Sequence, residues 1–279
     1  MTTVREALST GSRELQAAGI ALPNRDARRL MAAALPVAAD RLTLHLADRM
    51  DDAQSVRFNA FIARRVTREP VSHIVGERAF YGRQFQVTPD VLDPRPETET
   101  LVELALAEPF KKVLDLGTGS GCIAITLLAE RPAAHGVGTD ISDRAVLIAG
   151  QNAARQGVAD RLILPLSEWY EDIGGRFDLI VSNPPYIAAD EMAGLEPEVR
   201  DFEPRMALTD EADGLTAYRH IAAGALDHLK PGGRLMVEIG PTQARAVSAF
   251  FREVGLENVC VHPDLDGRDR VVAARAPIA

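Results

Sequence analysis

The chain reads as an α/β protein in which a doubly wound, mostly parallel sheet of seven strands follows a small N-terminal helical bundle and a β-hairpin linker. Three observations carry this reading. From about residue 99 onward, short apolar runs alternate with amphipathic stretches, the pattern of successive β-α units. A glycine-rich turn, Gly117-Thr118-Gly119-Ser120-Gly121, joins one such run directly to a helical stretch that begins Cys122-Ile123-Ala124. Before Pro70 the apolar positions recur at helical spacing.

Taken in order, Val4, Leu8 and Leu15 form one helical stripe, Leu30, Met31 and Leu35 a second, and Val56, Phe58, Phe61 and Ile62 a third. Gly19, Pro23-Asn24, Pro36 and Asp51-Asp52 punctuate them, with Asn24 expected to cap the second helix and Asp51 or Asp52 the third. Glu69-Pro70 closes the bundle, and Ala79 to Val87 alternates as a hairpin does. The expected division is 1–70 for a helical substrate-recognition domain, 71–98 for the hairpin linker and 99–279 for the sheet domain. A helix carrying Leu101, Val102, Leu104 and Leu106 opens that domain. Strands are predicted at Lys112 to Leu116, His135 to Asp140, Arg161 to Pro165, Phe177 to Ser182, Arg234 to Ile239, Val259 to Val261 and Arg270 to Ala274. The last two leave no room for a helix between them, so they are expected to pair antiparallel, with the final strand inserted at the sheet edge.

At 279 residues and 46% hydrophobic, the chain can bury the core of one large and one small domain. Basic residues number 31 against 40 acidic ones, a net charge of −9, and the strongest basic cluster, Arg64-Arg65 with Arg68, is small. Tight nucleic-acid binding leaves a basic stripe, so no direct nucleic-acid partner is expected and a protein substrate fits better. Cys122 and Cys260 lack the spacing of a zinc site or disulfide framework and are expected to be buried small apolar groups. The six histidines show no ligand spacing, so no metal is expected. With no apolar leader and no long uncharged apolar run, a cytoplasmic location without membrane association is expected.

Two motifs carry chemistry. Asn183-Pro184-Pro185-Tyr186 follows the apolar run Phe177 to Ser182, at a strand's carboxyl end where α/β folds bind ligands. Two prolines cannot continue the hydrogen-bond ladder, and they make a rigid corner with free carbonyls. The Asn183 amide oxygen and a proline carbonyl offer adjacent acceptors for a planar NH2 group, with Tyr186 as a flat face. A plain Asn-Pro turn is the alternative. In the glycine turn, the spacing Gly117-x-Gly119-x-Gly121 is not the dinucleotide fingerprint, and Asp115 before it favours a ligand with a cationic amino-acid end. Asp140 ends the next strand, about twenty residues on, where a carboxylate can accept from both ribose hydroxyls. Ser142-Asp143 can cap the following helix and leave Asp140 free. Trp169, the single tryptophan, can cover an adenine face. This is the pattern of an S-adenosylmethionine site.

Together these pieces resemble the peptide chain release factor glutamine N5-methyltransferases. The likeness covers nearly the whole chain, through Phe80-Tyr81-Gly82, Pro94 to Glu99, Asp115 to Gly121, Asn183 to Ile187, Phe202 to Leu208 and Asp213-Gly214-Leu215. It implies a Rossmann-like methyltransferase sheet, with S-adenosyl-L-methionine as cofactor and S-adenosyl-L-homocysteine as product. It implies cofactor contacts at Gly117, Thr118, Gly119, Ser120, Gly121, Asp140, Trp169 and Asn183. The substrate would be the glutamine of the Gly-Gly-Gln motif in class-1 release factors, held by Asn183, Pro184, Pro185 and Tyr186, with Asn183, Pro184 and Tyr186 catalytic. Two residues depart from the family pattern: Asp93 stands where an apolar residue is expected, and Glu168 where Asp is usual. Ribosomal-protein glutamine methyltransferases share the catalytic half. A nucleic-acid adenine N6-methyltransferase would offer its amine to the same acceptors, and a noncatalytic cofactor-binding module would need no Asn-Pro-Pro-Tyr.

Overall fold

The computed structural model describes residues 2–278. It falls into two units: the first runs to Glu77 and takes in Glu196–Phe202, and the second holds Arg78–Leu195 and everything from Glu203 onward. The boundary thus lies a few residues beyond Glu69-Pro70, and the sequence pattern gives no sign that 196–202 belongs with the helices.

The first unit is built from α1 (Val4–Ala17), α2 (Pro23–Ala34), α3 (Asp52–Val66) and α4 (Val71–Val75). Thr3 and Glu6 form a capping box at the start of α1, as Asp51 and Gln54 do for α3, which satisfies NH groups that the first helical turn leaves unpaired. Asn24 does not cap α2. Pro23 takes its first position, where a fixed φ and a missing NH are favourable, so Leu22 holds the cap and Asn24 lies inside the helix. Val4, Leu8, Leu15, Leu30, Met31, Phe58 and Ile62 share one core, while Val56 faces solvent at 69% exposure. Buried Arg65 on α3 bridges Asp26 of α2 (2.9 Å) and Glu198 (2.9 Å), with Arg68 also on Glu198 (3.2 Å). These ion pairs tie the 196–202 segment to the helices.

The hairpin of β1 (Glu77–Phe80), whose residues from Arg78 on belong to the second unit, and β2 (Arg83–Gln86) is turned by Tyr81 and Gly82 with φ of 48° and 71°, the signs that a type I′ turn requires. Then come α5 (Glu99–Leu106), β3 (Lys112–Leu116), α6 (Cys122–Glu130), β4 (His135–Thr139), α7 (Asp143–Arg155), β5 (Leu162–Ile163) and β6 (Phe177–Ser182). The helix Thr216–His228 precedes β7 (Leu229–Glu238), and Ala244–Glu253 precedes β8 (Glu257–Pro263) and β9 (Asp269–Arg275). The sheet order is β5-β4-β3-β6-β7-β9-β8, with β3 to β7 parallel and β9 antiparallel to both its neighbours. The final strand therefore lies inside the sheet rather than at its edge. Val271 to Ala274 of β9 are buried on both faces, whereas β8 is mostly exposed, and a strand apolar on both faces belongs in the interior. For the same reason Cys260, on β8, is exposed rather than buried. Alternation sends Val113 and Val181 to one core with Phe85 and Leu127, and Leu114 and Ile180 to the other with Tyr218 and Phe251. Among the described residues, no helix is long and apolar enough to cross a membrane.

Candidate active site

The connections reverse direction about β3, which lies between β4 and β6, and a crevice opens at such a switch point beyond the strands' carboxyl ends. The glycine turn leaves β3 there, with Gly117, Gly119 and Gly121 at φ of 70°, 56° and 81°. A Cβ on Gly121 would lie 2.6 Å from Ile125 Cδ1 and 3.3 Å from Ala149 Cβ, so glycine lets α6 start tight against α7. On Gly117 or Gly119 a Cβ would meet nothing within 4 Å; their outer face is open. Asp115 accepts from Thr118 Oγ1 (2.7 Å) and the Ala124 NH (3.2 Å). It braces the turn from beneath and does not line the cavity, so its position lends nothing to the cationic-end argument. Burial pushes its carboxyl up to about 7. Buried Asn152, which the sequence pattern leaves unmarked, donates to Ser120 O (2.9 Å) and Gln86 O (3.0 Å), tying the turn to the hairpin.

Asp140 follows β4 and accepts from the Gly119 NH (2.9 Å) and the Ser142 NH (3.0 Å). Ser142 caps α7 through the Ala145 NH, which leaves Asp140 at the glycine turn. Burial raises the Asp140 pKa, opposed by bonds from the Ser142, Gly119 and Ile141 NH groups. Trp169, at φ of 49°, lies parallel to His220 with ring centroids 6.2 Å apart. A cavity of ≈480 Å³ is lined by Gly117 to Ser120, Asp140, Trp169, Asn183 and Pro185, but not by Gly121, Pro184 or Tyr186.

Asn183 directly follows β6, whose last residue, Ser182, donates through Oγ to Leu116 O at 2.7 Å. The Asn183 Nδ2 donates to Thr98 Oγ1 (3.2 Å), and its Oδ1 is buried without a partner. Tyr186 anchors the motif's far end: its carbonyl accepts from Gln243 Nε2 at 2.8 Å, and its ring packs with the core beside Tyr218. Burial pushes its hydroxyl up to about 12. Gly214 lies so close that a Cβ would be 2.4 Å from Tyr186 O, at a φ of +71°, which fixes glycine in Asp213-Gly214-Leu215.

The remaining support comes from Pro94 to Glu99 and from β7. Thr98 donates to Glu238 at 2.6 Å, and Arg95 grips both oxygens of Glu203 at 2.7 and 2.8 Å. Burial pushes the Glu203 and Glu238 carboxyls up to about 7 each. Asp93, the departure before Pro94, meets Arg78 at 3.6 Å, and Arg78 also donates to Pro94 O. A local cation thus accompanies the added carboxylate. Glu168, the other departure, sits exposed on the cavity wall. A sequence signal for Glu238 exists, since it is a lone charge ending the apolar run Leu235-Met236-Val237. Among the described residues, no group of His, Cys, Asp and Glu is arranged to hold a metal ion.

Residues 6–76 match the PrmC N-terminal domain, and residues 91–195 match the methyltransferase small domain. A release factor glutamine methyltransferase from Cereibacter sphaeroides is 60% identical, covering 98% of this chain and 99% of its own. Counterparts from Rhodospirillum rubrum and Caulobacter vibrioides are 45% and 43% identical, covering 96% and 97% of this chain and 83% and 95% of theirs. Among solved structures, a methyltransferase from Pyrococcus furiosus superposes with a TM-score of 0.56 at 17% identity, covering 72% of this chain and 92% of its own. The hMettl16 catalytic domain in complex with MAT2A 3′UTR hairpin 6 gives the same TM-score and identity over 82% of this chain and 83% of that one. The solved structures share the fold, and the full-length identities go further: the chain belongs to the release factor glutamine methyltransferase family and is a methyltransferase.

Proposed function

We propose that the protein methylates the side-chain amide nitrogen (N5) of the glutamine in the Gly-Gly-Gln motif of class-1 peptide chain release factors, using S-adenosyl-L-methionine and leaving S-adenosyl-L-homocysteine. The observation that carries this reading is the Asn183 Oδ1, a buried acceptor without a partner on a residue lining the same cavity as the glycine turn and Asp140. The open face of Gly117 and Gly119, a carboxylate and an indole suit a nucleoside with a short polar tail. Gly117 to Ser120 and Asn183 would hold its amino-acid end, with Gly121 shaping the turn. Asp140 would hold the ribose and Trp169 the adenine. When bound, the cofactor supplies an electrophilic methyl group on a sulfonium.

An amide nitrogen is a poor nucleophile because its lone pair is delocalised into the carbonyl, so positioning must supply most of the rate. The Asn183 Oδ1 and the Pro184 carbonyl each accept one amide NH and aim the nitrogen for in-line transfer. Positive charge grows on that nitrogen as the bond to carbon forms, so both acceptors bind the transition state more strongly than the ground state. Pro185 stiffens the corner, and Tyr186, expected from the sequence to face the amide, instead serves by anchoring the motif's far end, since its ring packs with the core and does not line the cavity. The nitrogen afterwards releases its extra proton to water, since neither the Asn183 amide nor the Pro184 carbonyl is basic enough to keep it.

A glutamine in a short loop offers little surface for specificity, so the helical unit is assigned a second contact on the release factor, which raises the local concentration of that loop. A substrate of translation places the reaction in the cytoplasm. The test is incubation with methyl-labelled cofactor and, separately, release factor, ribosomal protein and DNA. Label on the Gly-Gly-Gln glutamine is the expected result; label only on ribosomal protein or on DNA adenine would overturn the substrate assignment.

A further inference from the structure

We infer that Thr98 and Glu238 are positioning residues that hold the Asn183 amide with its oxygen toward the substrate, an inference that rests on the function proposed above. An asparagine amide can turn over at little steric cost, and the wrong orientation would set its NH2 against the substrate's own NH2. Something must choose. Thr98 and Glu238 are 2% and 1% exposed, so water does not compete for their bonds. The Thr98 hydroxyl has one proton, and at 2.6 Å that proton goes to Glu238 Oε2, because an ionised carboxylate only accepts. Thr98 Oγ1 is left as an acceptor, and it takes the Asn183 Nδ2 proton at 3.2 Å. The Asn183 Oδ1 remains unpartnered. The three groups form a one-way relay from Asn183 through Thr98 to Glu238.

The direction depends on the charge at Glu238. Protonated, that carboxyl would donate to Thr98, which would then donate to Asn183 Oδ1 and turn the NH2 toward the substrate. Arg270 of β9 lies 3.8 Å from Glu238 and favours the ionised form. The other ionisable groups acting at this carboxyl are Glu97 and Arg95 before α5, Tyr186 after β6, Tyr218 on the helix Thr216–His228 and Cys122 on α6. Burial sets the titration near neutrality, about 7, so methyl transfer is expected to fall as pH drops through that value.

The test is the pH profile of release-factor methylation for wild type, Thr98→Val, Thr98→Ser and Glu238→Gln, with cofactor affinity measured by calorimetry and folding by thermal melting. Thr98→Val is expected to lose roughly tenfold to a hundredfold in kcat/KM with cofactor affinity unchanged, while Thr98→Ser, which keeps the hydroxyl, recovers most of it. In Glu238→Gln the amide oxygen turns to Arg270 and the NH2 to Thr98, so the relay is inverted and the residual activity is low and flat across pH 6 to 8. Thr98→Val matching wild type, or Glu238→Gln keeping the wild-type rate and acid limb, would overturn the relay. Should Thr98→Val not fold, a Thr98→Ser enzyme as impaired as Glu238→Gln, or a Glu238→Gln enzyme with an unchanged pH profile, would do the same. Absence of label from release factor with wild-type enzyme would instead remove the proposed substrate and leave the two failures distinct.

Discussion

In the function proposed above Asn183 acts on the substrate through its Oδ1, and because the glycine turn and Asp140 would carry most of the cofactor's hold, the loss of that atom is largely separable from cofactor binding. In Asn183→Ala the glycine turn and Asp140 remain, so calorimetric affinity for S-adenosylmethionine is expected to stay near wild type. Turnover should fall by about a hundredfold to a thousandfold, the range for losing one preorganised transition-state partner; near-normal turnover would remove the residue from the chemistry. Asp140→Ala should show the reverse, with its defect first in cofactor affinity, and unchanged binding would refute the ribose contact. These residues were legible because each sits in a short contiguous motif at a strand end. The link between Thr98 and Glu238 was not, since they lie 140 residues apart in the chain: pairing of Ser182 with Val237 carries Glu238 alongside the end of β6, and Thr98 reaches both Glu238 and Asn183 from the turn before α5. Asn152 carries no mark in the sequence either, because a buried asparagine inside a helix has no local context that separates it from a surface one.

At the scale of elements, the turn between β3 and α6 is the tightest joint of the site. Gly121→Ala would force a Cβ to 2.6 Å from Ile125 at a φ of +81°, adding a clash to a left-handed backbone. Destabilisation of about 1–3 kcal/mol is expected, read as a lower urea midpoint; an unchanged midpoint would show that α6 shifts freely. Helix and strand positions in both units follow closely from apolar spacing, and the capping of α3 by Asp51 from its local chemistry. The misreadings have physical causes. Pro23 outcompetes Asn24 because a proline at the first helical position loses nothing by lacking an NH. The place of β9 depends on burial of both its faces, which a four-residue apolar run does not distinguish from an edge strand's one apolar face and neighbouring loop.

Across the whole molecule, Asp115, Glu203 and Glu238 all have carboxyls raised by burial to about 7. The folded chain therefore binds protons that the unfolded chain releases at lower pH, near 4. Their contribution to stability is fully present below the unfolded values and is lost as pH rises through about 7. The carboxyls with lowered values, Asp178 and Glu198 among them, act oppositely, and only in more acidic solution. The cofactor-free protein is thus expected to melt several degrees higher at pH 6 than at pH 8; a lower melting temperature at pH 6 would contradict the upward shift of these carboxyls. Removing residues 1–77 tests the helical unit. Methylation of intact release factor should suffer far more than cofactor binding, and a soluble truncation working at the full-length rate would place recognition wholly in the second unit.

The interior position of β9 bears on how the protein is made as well as on how it works. Since β7 and β8 each pair with β9, they leave between them a slot that only the ninth strand fills. Until it does, the long edge of β7 stands unpaired, and Glu238 at its end lacks Arg270. A partly folded chain in that condition offers an open template to its neighbours. Refolding yield should therefore depend steeply on protein concentration, and the active site should be among the last features to return.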